Sequence, residues 1–203
     1  MIKNLIFDFG DVFINLDKKG AMERALNLFG MDTLSEEINA INVLYEQGLM
    51  STEEFVEFYS DNFPHLDEDE IVGTWNYILR DFPNHRLEYV QQLAAENKYK
   101  LILLSNTNEL HINWIKENVG FFEEFKDNFD ALYLSHEIQL RKPNPNIYEF
   151  VLNENNIKAE ESLFIDDTEE NIISAAQLGI HTWHINPETD DITTLFSTKS
   201  ELF

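Results

Sequence analysis

Three short apolar segments of the chain each end in side chains that could bind a phosphate group or a metal ion. The segments end in Asp8, in Ser105 and in the pair Asp166 and Asp167, and the cation Lys142 lies between the second and the third. A single Asp after a strand is more often a turn or helix-capping residue. Three segments of the same form, ending in carboxylates that can bind a metal ion and a hydroxyl that can bind phosphate, favour a functional interpretation.

The elements that must bring these side chains together are strands of one sheet. Leu5–Phe7, Leu101–Leu104 and Leu163–Ile165 are apolar runs of the length expected for buried strands. Helical patterns separate them, and strands that alternate with helices predict a parallel α/β sheet. The carboxyl ends of parallel strands gather at one edge, where ligands bind. We therefore expect the polar side chains to meet in one crevice.

The region from about residue 18 to residue 82 has a different pattern. It shows helical periodicity and almost no strand signal. Ser51 and Glu54 have the spacing of a capping box, which predicts a helix start at this point. The sequence therefore predicts a group of short helices inserted after the first strand.

Four motifs, in this order and in these strand contexts, resemble those of the haloacid dehalogenase superfamily, in its phosphatase branch with an aspartate nucleophile. The motifs are Asp8-Phe9-Gly10, Ser105, Lys142 and Asp166-Asp167. Within that superfamily the chain is most similar to the bacterial phosphatases that act on α-D-glucose 1-phosphate. This narrower similarity rests on Leu104–Asn108, Tyr133–Ser135, Arg141–Pro143 and the paired acids.

The resemblance implies an α/β fold, a doubly wound parallel sheet with an inserted helical cap domain. We expect residues 1–16 and 83–203 to form the core domain, and residues 17–82 to form the cap. By the same resemblance, the strand before Asp8 is central, and the strands before Ser105 and Asp166 flank it.

The resemblance also implies the reaction and its residues. Asp8, Ser105 and Lys142 are the expected catalytic residues of a phosphatase that forms an aspartyl phosphate. Mg²⁺ is the expected cofactor, held by Asp8, the Gly10 carbonyl and Asp166, with Asp167 close by or acting through water. The expected substrate-binding residues are Phe9, Gly10, Ser105, Asn106, Asn108 and Lys142.

Gly10 departs from the usual motif, because most family members carry there a second Asp that acts as general acid and base. The adjacent Asp11 cannot take this place, since a shift of one residue turns its side chain elsewhere. The glucose 1-phosphate phosphatases share this Gly. A site without that acid favours a good leaving group, so we expect a sugar phosphate substrate, and a sugar 1-phosphate in particular.

Two alternatives remain open from the sequence. A metal-independent 2-haloacid dehalogenase also lacks the second Asp, but its last motif lacks the paired acids. A catalytically impaired binding or regulatory protein on the same fold would account for Gly10, whereas retention of the other motif residues argues against it.

The composition narrows the range of partners. The chain has 14 Lys and Arg residues and 38 Asp and Glu residues, which give a net charge of −24. This negative charge argues against nucleic acid or anionic lipid as a partner. The absence of cysteine excludes disulfides and thiolate catalysis. No secretory signal or membrane-spanning run is visible, so we expect a cytoplasmic protein with a small phosphorylated substrate. The pattern does not distinguish a monomer from a dimer.

Overall fold

The computed structural model describes residues 1–203 and has a five-stranded parallel sheet at its centre. The strands are β1 (Asn4–Phe7), β2 (Lys100–Ser105), β3 (Ala131–Leu134), β4 (Ser162–Asp166) and β5 (His181–His184). Their spatial order is β3-β2-β1-β4-β5, so the first strand lies in the middle. The doubly wound parallel sheet expected from the sequence is confirmed.

Eleven helices surround or extend this sheet. They are α1 (Lys18–Phe29), α2 (Glu36–Glu46), α3 (Thr52–Asn62), α4 (Glu68–Asn76), α5 (Asn84–Glu96), α6 (Glu109–Asn118), α7 (Phe122–Lys126), α8 (Ser135–Ile138), α9 (Pro145–Glu154), α10 (Glu169–Gln177) and α11 (Leu195–Thr198). Short 3₁₀ turns span Ala159–Glu161, Ile192–Thr194 and Ser200–Leu202.

The register of the central strands decides which side chains meet at the carboxyl edge of the sheet. Phe7 pairs with Ile165 of β4 and with Leu103 of β2. The next residue of the first strand, Asp8, therefore lies beside the end of β4, where Asp166 is the last strand residue. The Asp8 amide continues the pairing, because it donates to the Ile165 carbonyl at 2.9 Å.

Both faces of the sheet are buried, which explains why its strands are continuous apolar runs. Leu5 and Phe7 pack in the larger core with α5 and α6, whereas Ile6 packs in a second core with α9 and α10. Each of these three β1 side chains is at most 1% exposed. The β1 backbone that leads into Asp8 is therefore held on both sides.

The four helices α1–α4, which we call the cap helices, have a hydrophobic cluster of their own. Phe29, Tyr45, Phe55, Tyr59 and Ile71 are among its buried members. Every cap helix begins at a side-chain cap, from Asp17, Ser35, Ser51 and Asp67 respectively. The predicted capping box of Ser51 and Glu54 is present.

The chain leaves the sheet for the cap helices and returns from them along two adjacent segments. Asn15 donates its amide to the Asp81 carbonyl at 2.9 Å, and its own carbonyl accepts from the Arg80 amide at 3.0 Å. These contacts lie near the boundaries expected at 16/17 and 82/83. The division into a core domain and a cap domain stays a prediction.

None of the helices combines the length and the apolar character that crossing a membrane requires. The cytoplasmic location expected from the sequence stays a prediction.

Candidate active site

The carboxylate of Asp8 lies at the end of β1 and is 9% exposed. Its Oδ1 accepts a hydrogen bond from the Phe9 amide at 2.7 Å and lies 2.8 Å from the ammonium nitrogen of Lys142. The chain donates no hydrogen bond to Oδ2. One oxygen of Asp8 is therefore fixed by the protein, and the other remains available to a ligand.

Asp166, at the end of β4, is fully buried and more completely hydrogen-bonded. Its Oδ2 accepts from Lys142 Nζ at 2.6 Å, and its Oδ1 accepts from the Thr168 amide at 2.8 Å. The side-chain amide of Asn171, on α10, donates to both carboxylate oxygens at 3.0 Å. These donors fix the carboxylate in one orientation.

The structure brings three carboxylates into one cluster. Oxygen atoms of Asp8, Asp166 and Asp167 all lie within 4.8 Å of one another. A small set of carboxylate oxygens is what Mg²⁺ binds, usually together with water and a phosphate oxygen. The proximity of the three carboxylates and the residual negative charge of the cluster fit such an ion.

The electrostatics of the cluster follow from one buried ammonium group shared by two buried carboxylates. Burial raises the pKa of Asp8 to about 7; the charge of Lys142 opposes this shift, and that of Asp166 adds to it. Burial alone would lower the pKa of Lys142, but the charges of Asp166 and Asp8 outweigh it and raise that pKa. Lys142 therefore stays charged between the two acids.

Lys142 reaches this position because its backbone is held by Asn106. The Asn106 side chain accepts from the Lys142 amide and donates to the Lys142 carbonyl, both at 2.9 Å. The Lys142–Pro143 peptide bond is cis. Ser105 is buried at the end of β2, and its hydroxyl makes a single long contact, 3.4 Å to the Asn106 carbonyl. That hydroxyl is free to bind a phosphate oxygen.

These groups line a space of about 290 Å³, which we call the crevice. Of the sequence-predicted site residues, those that line it are Asp8, Phe9, Gly10, Ser105, Asn106, Lys142 and Asp167. Asp166 lies beneath this lining.

Asn108 is the predicted substrate-binding residue that the structure places outside the crevice. Its side-chain oxygen caps α6 by accepting from the His111 amide at 3.0 Å. It instead lines a neighbouring space of about 360 Å³ between the cap helices and α6, which we call the cap cavity. The helix cap explains this position, because it points the Asn108 oxygen at its own helix.

A side chain at position 10 would meet the side chain of Leu16, which would have to move. A Cβ atom at position 10 would lie 2.7 Å from Leu16 Cδ1, closer than side chains pack. The adjacent Asp11 has a φ of 55°, and its carboxylate accepts from the Leu16 amide at 2.9 Å and pairs with Lys18 at 2.9 Å. Its side chain is therefore held away from the position that a second Asp would occupy.

Asn171, Lys18 and Thr107 are among the residues of the site that sequence reasoning missed. Asn171 is a polar residue on the inward face of α10, beside the buried Ala175 one turn later, and this placement was a readable signal. Thr107 lines the crevice and is held by Ser135, since the Thr107 amide donates to the Ser135 hydroxyl at 2.9 Å. Nothing in the local sequence marks Lys18.

Comparison with known proteins gives a consistent result. The model of the family "haloacid dehalogenase-like hydrolase" matches residues 2–179. The D-ribitol-5-phosphate phosphatase of Bacteroides thetaiotaomicron is 30% identical over 190 residues, which cover 90% of this chain and 91% of that protein.

Solved structures are similar over nearly the whole chain. A haloacid dehalogenase family enzyme of Bacteroides thetaiotaomicron, crystallised with magnesium and inorganic phosphate, is 32% identical with a TM-score of 0.81, covering 97% of this chain and 100% of that one. An L-2-haloacid dehalogenase is 18% identical with a TM-score of 0.61, covering 98% of this chain and 99% of that one, and it shares the fold alone.

Proposed function

The chain belongs to the haloacid dehalogenase-like hydrolases, and from this premise we propose that it is a Mg²⁺-dependent phosphatase of a small phosphorylated metabolite. The observation that carries the proposal is the contact of one buried ammonium group, Lys142, with both Asp8 and Asp166. These three residues come from distant parts of the sequence, and the crevice above them is large enough for a phosphate group.

Asp8 is the proposed nucleophile. Its Oδ1 is fixed by Lys142 and the Phe9 amide, which leaves Oδ2 to attack phosphorus in line with the leaving group. The attack gives an aspartyl phosphate, and water then hydrolyses it. An ionised carboxylate needs no base for this attack, but it needs relief from the negative charge of the phosphate.

The remaining residues supply that relief and hold the phosphate. Ser105, the Asn106 amide and the Gly10 amide are the proposed donors to its oxygens, and Lys142 supplies positive charge beside them. The Phe9 amide, which was expected to bind phosphate, donates to Asp8 Oδ1 instead. Asp8, the Gly10 carbonyl and Asp166 are the proposed ligands of Mg²⁺, which supplies positive charge to the phosphate oxygens when bound. Asp167 pairs with Lys18, which suits a place beside the ion rather than on it.

The proposed substrate class is a sugar or polyol phosphate. Similarity to a ribitol-5-phosphate phosphatase over most of the chain supports the class. The resemblance to the α-D-glucose-1-phosphate phosphatases and the missing acid at Gly10 favour a sugar 1-phosphate within it, because an anomeric oxygen leaves more readily than a primary alkoxide.

The test is a screen of phosphorylated metabolites with the purified protein. We expect release of inorganic phosphate from sugar or polyol phosphates in Mg²⁺, and its loss in EDTA. Release of halide from 2-haloacids that persists in EDTA would instead support the dehalogenase alternative. Binding of phosphorylated metabolites with no phosphate release would support a non-catalytic protein.

A further inference from the structure

Lys18, the first residue of α1, reaches from the cap helices back to the carboxylates of the core. Its ammonium nitrogen lies 2.9 Å from Asp11 Oδ2 and also contacts Asp167. Asp167 in turn belongs to the carboxylate cluster with Asp8. The side chain of Lys18 is nevertheless 49% exposed and lines the crevice, so a ligand bound there can reach it.

Lys18 lines both the crevice and the cap cavity. Four residues do so: Lys18, Glu46, Ile78 and His111. They mark the place where the two spaces join. A phosphate bound in the crevice, with the rest of its substrate in the cap cavity, would have its ester oxygen at this junction.

Lys18 is also the one junction residue with a hydrogen-bond donor to spare. Ile78 is apolar, and the carboxylate of Glu46 accepts from Arg141. The ring of His111 lies between the Trp75 carbonyl, 3.0 Å from its Nε2, and the side chain of Asn108. An ammonium group has three N–H donors, and two carboxylates leave one of them free.

At this junction, the proposed reaction lacks the usual side chain that would donate a proton to the ester oxygen. As the P–O bond breaks, negative charge develops on the ester oxygen, and donors aimed at such an atom contribute strongly to catalysis. The usual acid at position 10 is absent, since Gly10 has no side chain. The other two cations that line the crevice do not line the cap cavity: Arg141 pairs with Glu46, and Lys142 lies between the buried acids.

We propose that the Lys18 ammonium group hydrogen-bonds the leaving-group oxygen of the substrate and stabilises the charge that develops there. This inference rests on the proposed phosphatase function. In the step concerned, a bond forms between Asp8 Oδ2 and phosphorus, and the bond from phosphorus to the ester oxygen breaks. The electron pair of the broken bond stays on that oxygen. Lys18 donates a hydrogen bond to the oxygen until the oxygen takes a proton from water and the product leaves as the alcohol.

The consequence for substrate choice is specific. A cation at the leaving oxygen compensates in part for the missing acid, so it extends hydrolysis to phosphates of ordinary alcohols, although an anomeric oxygen still leaves more readily. A leaving group that is stable as an anion, such as p-nitrophenolate, needs little of this help. The contribution of Lys18 should therefore grow as the leaving group becomes poorer.

The experiment compares Lys18→Met with Lys19→Met on two substrates, p-nitrophenyl phosphate and glycerol phosphate. Lys19 is the matched control, because it is the next residue of α1, has the same charge and is 89% exposed with a distant contact to Glu23 alone. The parameter is kcat/KM, which reports the steps up to departure of the leaving group. Lys18→Arg is included because it retains the charge.

We expect Lys18→Met to lower kcat/KM about 100-fold for glycerol phosphate and less than about threefold for p-nitrophenyl phosphate. Lys19→Met should change neither value, and Lys18→Arg should lie between wild type and Lys18→Met on glycerol phosphate alone. Equal losses on both substrates would overturn the inference and assign Lys18 to phosphate binding or to holding the cap helices.

Two further results separate this inference from the proposed function. If the wild-type protein hydrolyses neither substrate nor any sugar phosphate, the proposed function fails and the role of Lys18 fails with it. If the wild-type protein is active and Lys18→Met does not fold, Lys18→Arg decides, since an unchanged ratio between the two substrates in that variant would overturn the role.

Discussion

The crevice and the cap cavity lie side by side, but their polar groups are held in different ways. In the crevice, Asp8 and Asp166 are buried at the ends of adjacent strands and are fixed by backbone amides, Asn171 and Lys142. The cap cavity is lined mainly by apolar and aromatic side chains of α1, α2, α3 and α4. There the rings of Tyr45 and Phe55 stack with centroids 4.0 Å apart.

The difference indicates that the crevice and the cap cavity have different roles toward a substrate. Positions in the crevice are set by strand pairing, which allows little adjustment, and they carry charge. Positions in the cap cavity are set by the packing of short helices and can change without disturbing the sheet. Substitutions in the crevice should therefore affect every substrate, whereas substitutions in the cap cavity should change the choice between substrates.

The largest effect is expected from Asp8→Asn, which removes the proposed nucleophile at the centre of the crevice. The variant should lose at least about 10⁴-fold in kcat on all phosphates alike, because an amide cannot form the aspartyl phosphate. Phosphate release measures this loss. Asp32→Asn, at an exposed position among the cap helices, is the control and should be fully active. Residual hydrolysis by Asp8→Asn would remove Asp8 from the nucleophile role.

Lys142→Met tests how much the stability of the folded protein depends on the one buried positive charge of the crevice. Removal of the ammonium group leaves two buried carboxylates unpaired, so the free energy of unfolding at pH 8 should fall by about 3 kcal/mol or more. Lys18→Met, at a half-exposed position, should cost less than about 1 kcal/mol. Urea unfolding in EDTA measures both. Similar costs would show that burial does not distinguish the two lysines.

Mg²⁺ should stabilise the folded protein more at high pH than at low pH. The pKa of Asp8 is raised to about 7 in the fold, whereas an unfolded Asp ionises near 4. Between these values the folded state holds a proton that the unfolded state lacks. The contribution of Asp8 to the free energy of unfolding therefore falls as pH rises through this window.

The measurement is urea unfolding at pH 5 and pH 8, in EDTA and in saturating Mg²⁺. We expect an increment of about 2–3 kcal/mol from Mg²⁺ at pH 8, at a hundredfold excess over Kd. The increment at pH 5 should be smaller, because the ion must displace a proton. Asp8→Asn isolates this residue from the other titrating groups. If the stabilisation of the wild type by Mg²⁺ did not depend on pH, this result would contradict the raised pKa of Asp8.

Ala21→Phe tests the cap cavity in isolation. Ala21 lines that cavity but not the crevice, so a larger side chain there should obstruct the body of the substrate and leave the phosphate site intact. We expect kcat/KM to fall about tenfold for sugar phosphates, in line with the few kcal/mol that pocket volume contributes to specificity. For acetyl phosphate it should change less than twofold. Equal losses would mean that the two spaces are not independent.

The smallest effect is expected from Gly10→Asp combined with Leu16→Ala. The second substitution makes room for the new side chain, because Leu16 Cδ1 lies 2.7 Å from where its Cβ would be. Turnover of glycerol phosphate should rise a few-fold, and that of p-nitrophenyl phosphate should not. Leu16→Ala alone is the control. Equal losses on both substrates would contradict the interpretation of Gly10 as a missing acid.

Much of the crevice could be predicted from the sequence because strand ends are a local signal. An apolar run that stops at Asp8, Ser105 or Asp166 is visible in a few residues, and alternation with helices predicts that such runs are parallel. Parallel strands bring their carboxyl ends to one edge, so the cluster follows from the pattern. The register, which places Asp8 beside Asp166, agrees with that expectation.

The tertiary structure decided what depends on how helices dock. Lys18 meets Asp167 across 149 positions of the chain, and only the packing of α1 against the core brings them together. The side chain of Asn108 faces its own helix, although its sequence neighbours line the crevice. A helical residue can present its side chain to solvent, to a cavity or to its own helix end, and contacts with distant residues select among these.

The sequence by itself therefore determined the sheet, the edge at which the polar side chains gather and the charged groups at that edge, because strand periodicity and chain order suffice for them. The tertiary structure alone decided that Lys142 is buried between two acids and that Lys18 of α1 lies where the two spaces join. These features depend on side-chain reach between elements that are far apart in the chain, and local pattern carries no information about that reach.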